Sequence, residues 1–432
     1  MGVSRAFLTL ASLFLTSTHT AVSNAQQIRD SPEPRNFARR IHSSATLIGD
    51  YVYIEGGLIL QKTDGINLAP GPSYGPWNTV NNTLSIDMRQ SWSSDSVAIR
   101  TIQKPAEAQP RAIASLLVEK ARGEYYLWGG FAQNRVKVGV DGVFYKFTTD
   151  GKGGGSWSSE VPKNFKAMRV VQQAATVSIN KTAYMVGGLA SGWTDPDQKG
   201  EQAVGGMIKY DFDAKAFIND TEEWSPIDST IQGGRAEFLP GFGKNGLVVL
   251  LGGMQLVLTP DPVHKRQQNF DFHNISLFDP VSQKRYWQIA TGEVPLGTPR
   301  HDFCAASQRT ADGGQEILIA GGMNPWGQDE AHVDAYILSL PGFFWTRVPD
   351  LPFEPRRFQT CVAVGKRQVL SIGGEPGGVK IDKIKENATV TDPAPQGLML
   401  FDMTDLKWKF EYNANDGPYE RPDVIKNWYK NG

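Results

Sequence analysis

Short apolar runs recur along this chain, and each stops at a pair of glycines. The first is YVYIEGG, Tyr51 to Gly57, where a carboxylate stands just before the glycines. The others are YLWGG, YMVGG, VLLGG, LIAGG and LSIGG, ending at Gly130, Gly188, Gly253, Gly322 and Gly374. Runs this short, rich in aromatic and β-branched residues and closed by Gly-Gly, predict strands and not helices. After a variable loop comes a second strand-like segment: TLSIDM, VFYKFT, MIKYDF, ISLFDP, AYILSL and LMLFDM in turn. A tryptophan follows 23 to 36 residues after each glycine pair: Trp92, Trp157, Trp224, Trp287, Trp345 and Trp408. Ahead of most pairs lies a further strand introduced by an arginine: Arg40, Arg111, Arg235, Arg300 and Arg357. A unit repeated end to end predicts one repeat array, although 432 residues would otherwise divide into two or three domains.

The unit of strand, strand with Gly-Gly, loop, strand and strand with Trp resembles the kelch repeat. The implied fold is all-β: a kelch-type β-propeller of six four-stranded blades. The repeats span about 39–92, 110–157, 172–224, 233–287, 299–345 and 355–408 within 26–413, with a tail at 414–432. Glycines let strands turn and approach closely, and tryptophans are expected to fill the wedges between blades. NNTLSIDMRQSW, YWQIATGEVPLGTPRHDFC, YILSLPGFFWTRV and PRRFQTC extend the match. Together they look like fungal secreted kelch-type proteins, often labelled galactose-oxidase-like. In that family an acidic residue before the first glycine pair is usual, which makes Glu55 a family feature.

Residues 1–25 read as a secretory signal, with Arg5 as the basic residue, Ala6 to Leu15 apolar, and Ser23-Asn24-Ala25 at the cleavage position. The triplets at Asn81, Asn180, Asn219, Asn274 and Asn387 are glycosylation acceptors in such a compartment. No second apolar stretch is long enough for a membrane helix. Many proteins of the resembled family continue into a transmembrane anchor, whereas this chain stops at YERPDVIKNWYKNG; a soluble product of the secretory pathway or the extracellular space is expected. Arg5 is the only charged residue of the leader, so 43 bases face 45 acids in the mature chain. That balance gives no reason to expect nucleic acid or an anionic membrane as a partner. Cys304 and Cys361 each lie four residues after an opening arginine, at equivalent positions of adjacent inner strands. They form either a disulfide or two buried thiols.

Strand direction alternates within a blade, so the loops after the glycine pairs and the connections between blades share one face, termed the top. All long insertions fall there, which makes it the binding face. The five opening arginines, Arg40, Arg111, Arg235, Arg300 and Arg357, either ring the channel mouth and hold an anionic or hydroxylated ligand, or tie each blade to its neighbour. Glu55 and Asp302 are their candidate partners, or else a general acid and base in a dry pocket. Loop aromatics Tyr74, Trp77, Trp193 and Trp326 offer stacking surfaces. His42, His264, His273, His301 and His332, with Asp329 and Glu330, sit on top-face elements, but no compact metal-ligand spacing appears, so no metal and no cofactor is expected. The tyrosine, cysteine and histidine set of copper radical oxidases is absent, so the resemblance carries no oxidase chemistry. No Gly-x-Ser-x-Gly elbow, phosphate loop or nucleotide fingerprint is present either.

Two functions follow. In the first, a soluble propeller binds a small organic molecule and transforms it by cofactor-free acid–base chemistry; the resemblance to members attached to fungal secondary-metabolite pathways implies that setting. In the second, a non-catalytic module binds cell-wall glycan or a partner protein through its loop aromatics.

Overall fold

The computed structural model describes residues 29–63, 65, 67–68, 77–132, 143–165, 170–194, 200–219, 231–257, 266–269, 272–295, 300–324, 331–377 and 391–431. The leader, Tyr74, Trp224, His264, Trp326, Asp329, Glu330 and Asn387 lie outside the described residues.

Six blade sheets succeed one another along the chain, each with four antiparallel strands, and the fifth adds Thr291–Gly292 in parallel at its outer edge. Their innermost strands are Ser44–Ile48, Ser115–Glu119, Ala175–Ile179, Arg235–Leu239, Cys304–Arg309 and Thr360–Val364. Each packs beside the next, and the last packs beside the first, so the ring is closed. The second strands carry the glycine pairs. Tyr51–Glu55, Gln315–Ala320 and Gln368–Ile372 are buried along their whole length. Both faces of a blade meet a neighbouring blade, which is why these strands read as continuous apolar runs and not as an alternation. Separate core clusters fill the seams: Val52, Leu84, Val364 and Leu400 between blades 6 and 1, and Leu318, Ile337, Val369 and Phe401 between blades 5 and 6.

The glycine pairs work at the seams. The N–H of the second glycine donates to a carbonyl of the next blade in all six cases: Gly57 to Arg111, Gly130 to Val171, Gly188 to Ile231, Gly253 to Arg300, Gly322 to Arg356, and Gly374 to Arg40. These bonds span 2.7 to 3.0 Å. Gly56 and Gly57 have φ of 59° and 82°, and a Cβ on Gly56 would run into the Arg111 carbonyl. Only glycine meets both demands.

The tryptophans differ from expectation. Trp345 is fully buried, but Trp92, Trp157 and Trp408 are half-buried and Trp287 is 50% exposed. They sit near the outer edge, where blades splay apart and less remains to be filled. Trp92 is not on blade 1's outer strand, which is Arg100–Ile102; Trp92–Ser93 instead pairs with Glu411–Tyr412 from the end of the chain. The tail then crosses to blade 5, where the helix Asp423–Asn431 stacks Trp428 on Phe344 at 4.4 Å. No helix among the described residues is long and apolar enough to cross a membrane.

Cys304 and Cys361 are bonded, with Cα atoms 5.3 Å apart. Their positions are not equivalent, contrary to the arginine-based alignment. Cys304 lies opposite Ala320, the residue before its blade's glycine pair, whereas Cys361 lies opposite Ser371, one residue further from its own pair. Neighbouring blades present opposite faces to their common seam, so partners must differ by an odd number of residues.

Candidate functional site

Two residues beyond each seam carbonyl, the chain turns into the propeller axis. The six residues there are His42, Ile113, Gln173, Gly233, Asp302 and Phe358. All have left-handed backbone, with φ between 53° and 68°. Their main chains are hydrogen-bonded round the axis. His42 donates to Phe358, Ile113 to His42, Gly233 to Gln173, Asp302 to Gly233 and Phe358 to Asp302, at 2.8 to 3.2 Å. Left-handed conformation in residues other than glycine is held only where the surroundings over-determine it, and such positions cluster at functional sites.

The ring is a partition. Above it lies a cavity of about 400 Å³, and below it a chamber of about 910 Å³ bounded by the inner strands and the bottom turns. His42, Ile113, Gln173, Asp302 and Phe358 line both. The upper cavity has apolar walls of Leu58, Trp77, Phe131, Leu189, Trp193 and Met323 over a polar floor. In that floor Gln232 Nε2 donates to Gln173 Oε1 at 2.6 Å, and Gln173 Nε2 donates to Asp302 Oδ2 at 2.7 Å. His301 Nδ1 lies 2.6 Å from the same oxygen. Burial alone would raise the Asp302 carboxyl, but the hydrogen bonds from His301 and Gln173 and the nearby Arg235 charge outweigh it and hold Asp302 below the usual range. An ionised Asp302 is acceptor-only. It therefore fixes Nδ1 of His301 as the donor and leaves Nε2 as an acceptor. His42 differs: both ring nitrogens are buried without a hydrogen-bond partner, and Phe358 packs edge-on at 4.2 Å. Burial, aided by Arg357 and opposed by Asp302, lowers its pKa to about 4.

Of the two readings of the opening arginines, a channel crown or ties between segments, the ties hold for four of the five. Arg40 donates to the Asp30 carbonyl at 2.9 Å, and Arg111 to the carbonyls of Leu127 and Gly129 at 3.1 and 3.4 Å. Arg300 holds the Gly321 carbonyl and Asp334 at 3.0 and 2.8 Å, and Arg357 holds Glu375 at 3.1 Å. These four tie structure together. Only Arg40, Arg111 and Arg300 occupy the seam position; Arg356 takes it in blade 6, while Val171 and Ile231 take it in blades 3 and 4. Arg235, four residues later than expected, lines the lower chamber.

Of the two readings of Glu55, the structural ion pair holds, though not with an arginine. It lines neither cavity. It is buried between blades 1 and 2, where Thr83 Oγ1 and Tyr125 Oη donate to Oε1 at 2.5 Å and Lys104 Nζ pairs with Oε2. Both oxygens are engaged, so Glu55 is structural and its cation is a lysine. Trp77 and Trp193 do meet in one cavity, but Trp77 is 1% exposed and forms wall, not platform. Asn81, Asn180, Asn219 and Asn274 are exposed. His332 lies 3.9 Å from Asp334 and lines neither cavity. No group of three metal-ligating residues occurs among the described residues. His42, Gln173 and Gln232 were not foreseen as site residues. Their signal was the spacing Arg40-x-His42 and Arg300-x-Asp302, which the apolar seam residues of blades 3 and 4 disguise.

No protein-family model matches the chain. It is 25% identical over 430 residues to a kelch repeat-containing protein of Arthroderma benhamiae, a match that covers 89% of this chain and 58% of that relative. The chain thus spans less than two thirds of the relative's length. Among solved structures, that of YjhT aligns with a TM-score of 0.54 at 15% identity, covering 88% of this chain and 99% of that one. The chain is a kelch-type β-propeller. In kelch terms, the Gly-Gly to carbonyl bonds are the blade-to-blade joints, and the upper cavity sits where the axis meets the loop-bearing face.

Proposed function

We propose that this kelch propeller binds a small, mostly apolar organic molecule in the upper cavity, anchoring one hydroxyl or carbonyl group on the ring. The observation that carries this is the Gln232–Gln173–Asp302–His301 network at the floor of an aromatic-walled cavity of about 400 Å³. Apolar walls with a few convergent polar groups are the usual build of a small-molecule site. If the bound molecule reacts, His301 is the base and Asp302 its positioning residue, giving a proton transfer that needs no redox partner. A fungal metabolite pathway in the secretory route is the setting proposed, supported by the resemblance and by a leader and disulfide that fit an oxidising compartment. A glycan platform is less favoured, because Trp77 is buried in the wall.

The test is an untargeted metabolite comparison of the producing organism with the wild-type gene, with Trp193→Ala and with Asp302→Asn. The expected result is loss of one compound and accumulation of its precursor in both variants. An unchanged profile in a strain lacking the gene altogether would overturn the pathway reading.

A further inference from the structure

Beneath the ring, the lower chamber holds an arginine, Arg235, with no carboxylate at ion-pair distance among the described residues. Arg235 and Glu237 lie two residues apart on the inner strand of blade 4, so they share one face. That face looks at blade 5: the Arg235 guanidinium stands 5.6 Å from the centre of the Phe303 ring, and Glu237 Oε2 accepts from Ser307 at 2.8 Å. Arg235 donates to the Gly234 carbonyl beside it at 3.0 Å. Buried Arg300, Arg356 and Arg357 each hold a carboxylate at 2.8, 2.6 and 3.1 Å. Among the described residues Arg235 has no carboxylate at ion-pair distance; the nearest acids acting on it are Asp302, engaged by His301 and Gln173, and Glu237. Arg235 is half-buried and lines the chamber, and the planar donors of a guanidinium suit a carboxylate. At the bottom of the inner strands Lys120, Lys181 and Arg309 outnumber Glu119, which leaves the approach net basic.

We propose that the lower chamber is a second binding site, distinct from the upper cavity, for a small organic carboxylate held by the Arg235 guanidinium with the Glu237 carboxyl donating a hydrogen bond beside it. At about 910 Å³ the chamber has room for such an anion and its waters. Burial raises the Glu237 carboxyl, opposed by Ser307, Lys120 and Arg235, and this favours the protonated form that can donate. A dianion such as phosphate would need a second cation beside Arg235, whereas Lys120, Lys181 and Arg309 of the lining stand past the bottom ends of the inner strands or at them.

The experiment titrates acetate, gluconate and phosphate into the full-length protein by calorimetry. The carboxylates should bind saturably and phosphate weakly. Arg235→Gln should weaken carboxylate binding about tenfold to a hundredfold, while Trp193→Ala leaves it unchanged. Wild-type affinity should fall as the pH rises and Glu237 ionises. Glu237→Gln, which keeps a donor without a charge, should not lose affinity as the pH rises through the range in which the wild type does. Its pH profile serves even if Arg235→Gln does not fold. Absence of saturable carboxylate binding, phosphate binding as tight as gluconate, loss in Trp193→Ala, or a flat wild-type pH profile would each overturn the proposal. Loss in Trp193→Ala alone would instead place the anion in the upper cavity, so the two sites are separable.

Discussion

Glu55 ends its strand in a carboxylate because Lys104, Tyr125 and Thr83 converge on it from three other segments. Removing the acid by Glu55→Ala strands a buried ammonium, and should lower stability by about 3–5 kcal/mol in urea unfolding. The double change Glu55→Gln with Lys104→Met should recover most of that loss. The oddity of Glu55 was legible in the sequence, but its partner was not: Lys104 lies 49 residues away, in the connection between blades 1 and 2. His42 gives a second residue-scale expectation. Folded, it takes its proton only near a pKa of about 4; unfolded, near the ordinary 6.5. The stability tied to it is therefore present above pH 6.5 and lost as the pH falls towards 4, by up to about 3 kcal/mol. His332 is lowered to about 4 as well, by burial and Arg300, and shares that slope. His42→Phe, among Phe131 and Phe358, should remove its part of the slope; urea unfolding at about pH 7 and about pH 4.5 would show it. An unchanged slope would assign the whole effect to other groups.

At the scale of strands, the repeat was legible because burial on both faces writes continuous apolar runs that Gly-Gly punctuates. Register was not. The opening arginines gave the wrong frame for Arg235 and Arg357, since a side chain's identity repeats less faithfully than the main-chain bond it stands beside. The cysteines follow the true frame with an offset of one. Their bridge closes a loop with a sequence separation of 57, so Cys304→Ser with Cys361→Ser should cost about 2–4 kcal/mol in unfolding by denaturant. Moving one cysteine by one position, as in Thr360→Cys with Cys361→Thr, should abolish the bridge outright. Thiol titration of the unfolded protein distinguishes the two outcomes. Ring positions were also hidden, because left-handed backbone at Ile113 or Phe358 is imposed by the six-fold geometry and not by local propensity.

Across the whole molecule, blades 6 and 1 are not joined by an outer-to-inner strand connection; the end of the chain instead passes from Lys407–Lys409 of blade 6 to pair with Trp92–Ser93 of blade 1. The seam is held by the Gly374–Arg40 bond, by Arg39 Nη1 on the Gly374 carbonyl at 2.9 Å, and by Tyr412, whose hydroxyl donates to the Met88 carbonyl at 3.0 Å. Ending the chain after Phe410 removes the Glu411–Tyr412 strand. It also removes Arg421, which donates to the fully buried Glu316 at 2.7 Å. Such a truncation should lower the melting temperature and expose blades 1 and 6 first to proteolysis; an unchanged melting curve would show the tail to be idle. The disulfide acquires a further meaning on this scale. Mechanically the propeller is a split washer: five joints are backed by chain that runs on into the next blade, and the sixth is a gap closed by contacts and by the clasp of Glu411–Tyr412 on Trp92–Ser93. The Cys304–Cys361 weld fuses blades 5 and 6 into a single stiff jaw beside that gap. Any spreading of the ring must then swing this two-blade jaw as one lever against blade 1, so the axial ring bond from His42 to Phe358 is the latch that such a motion strains first.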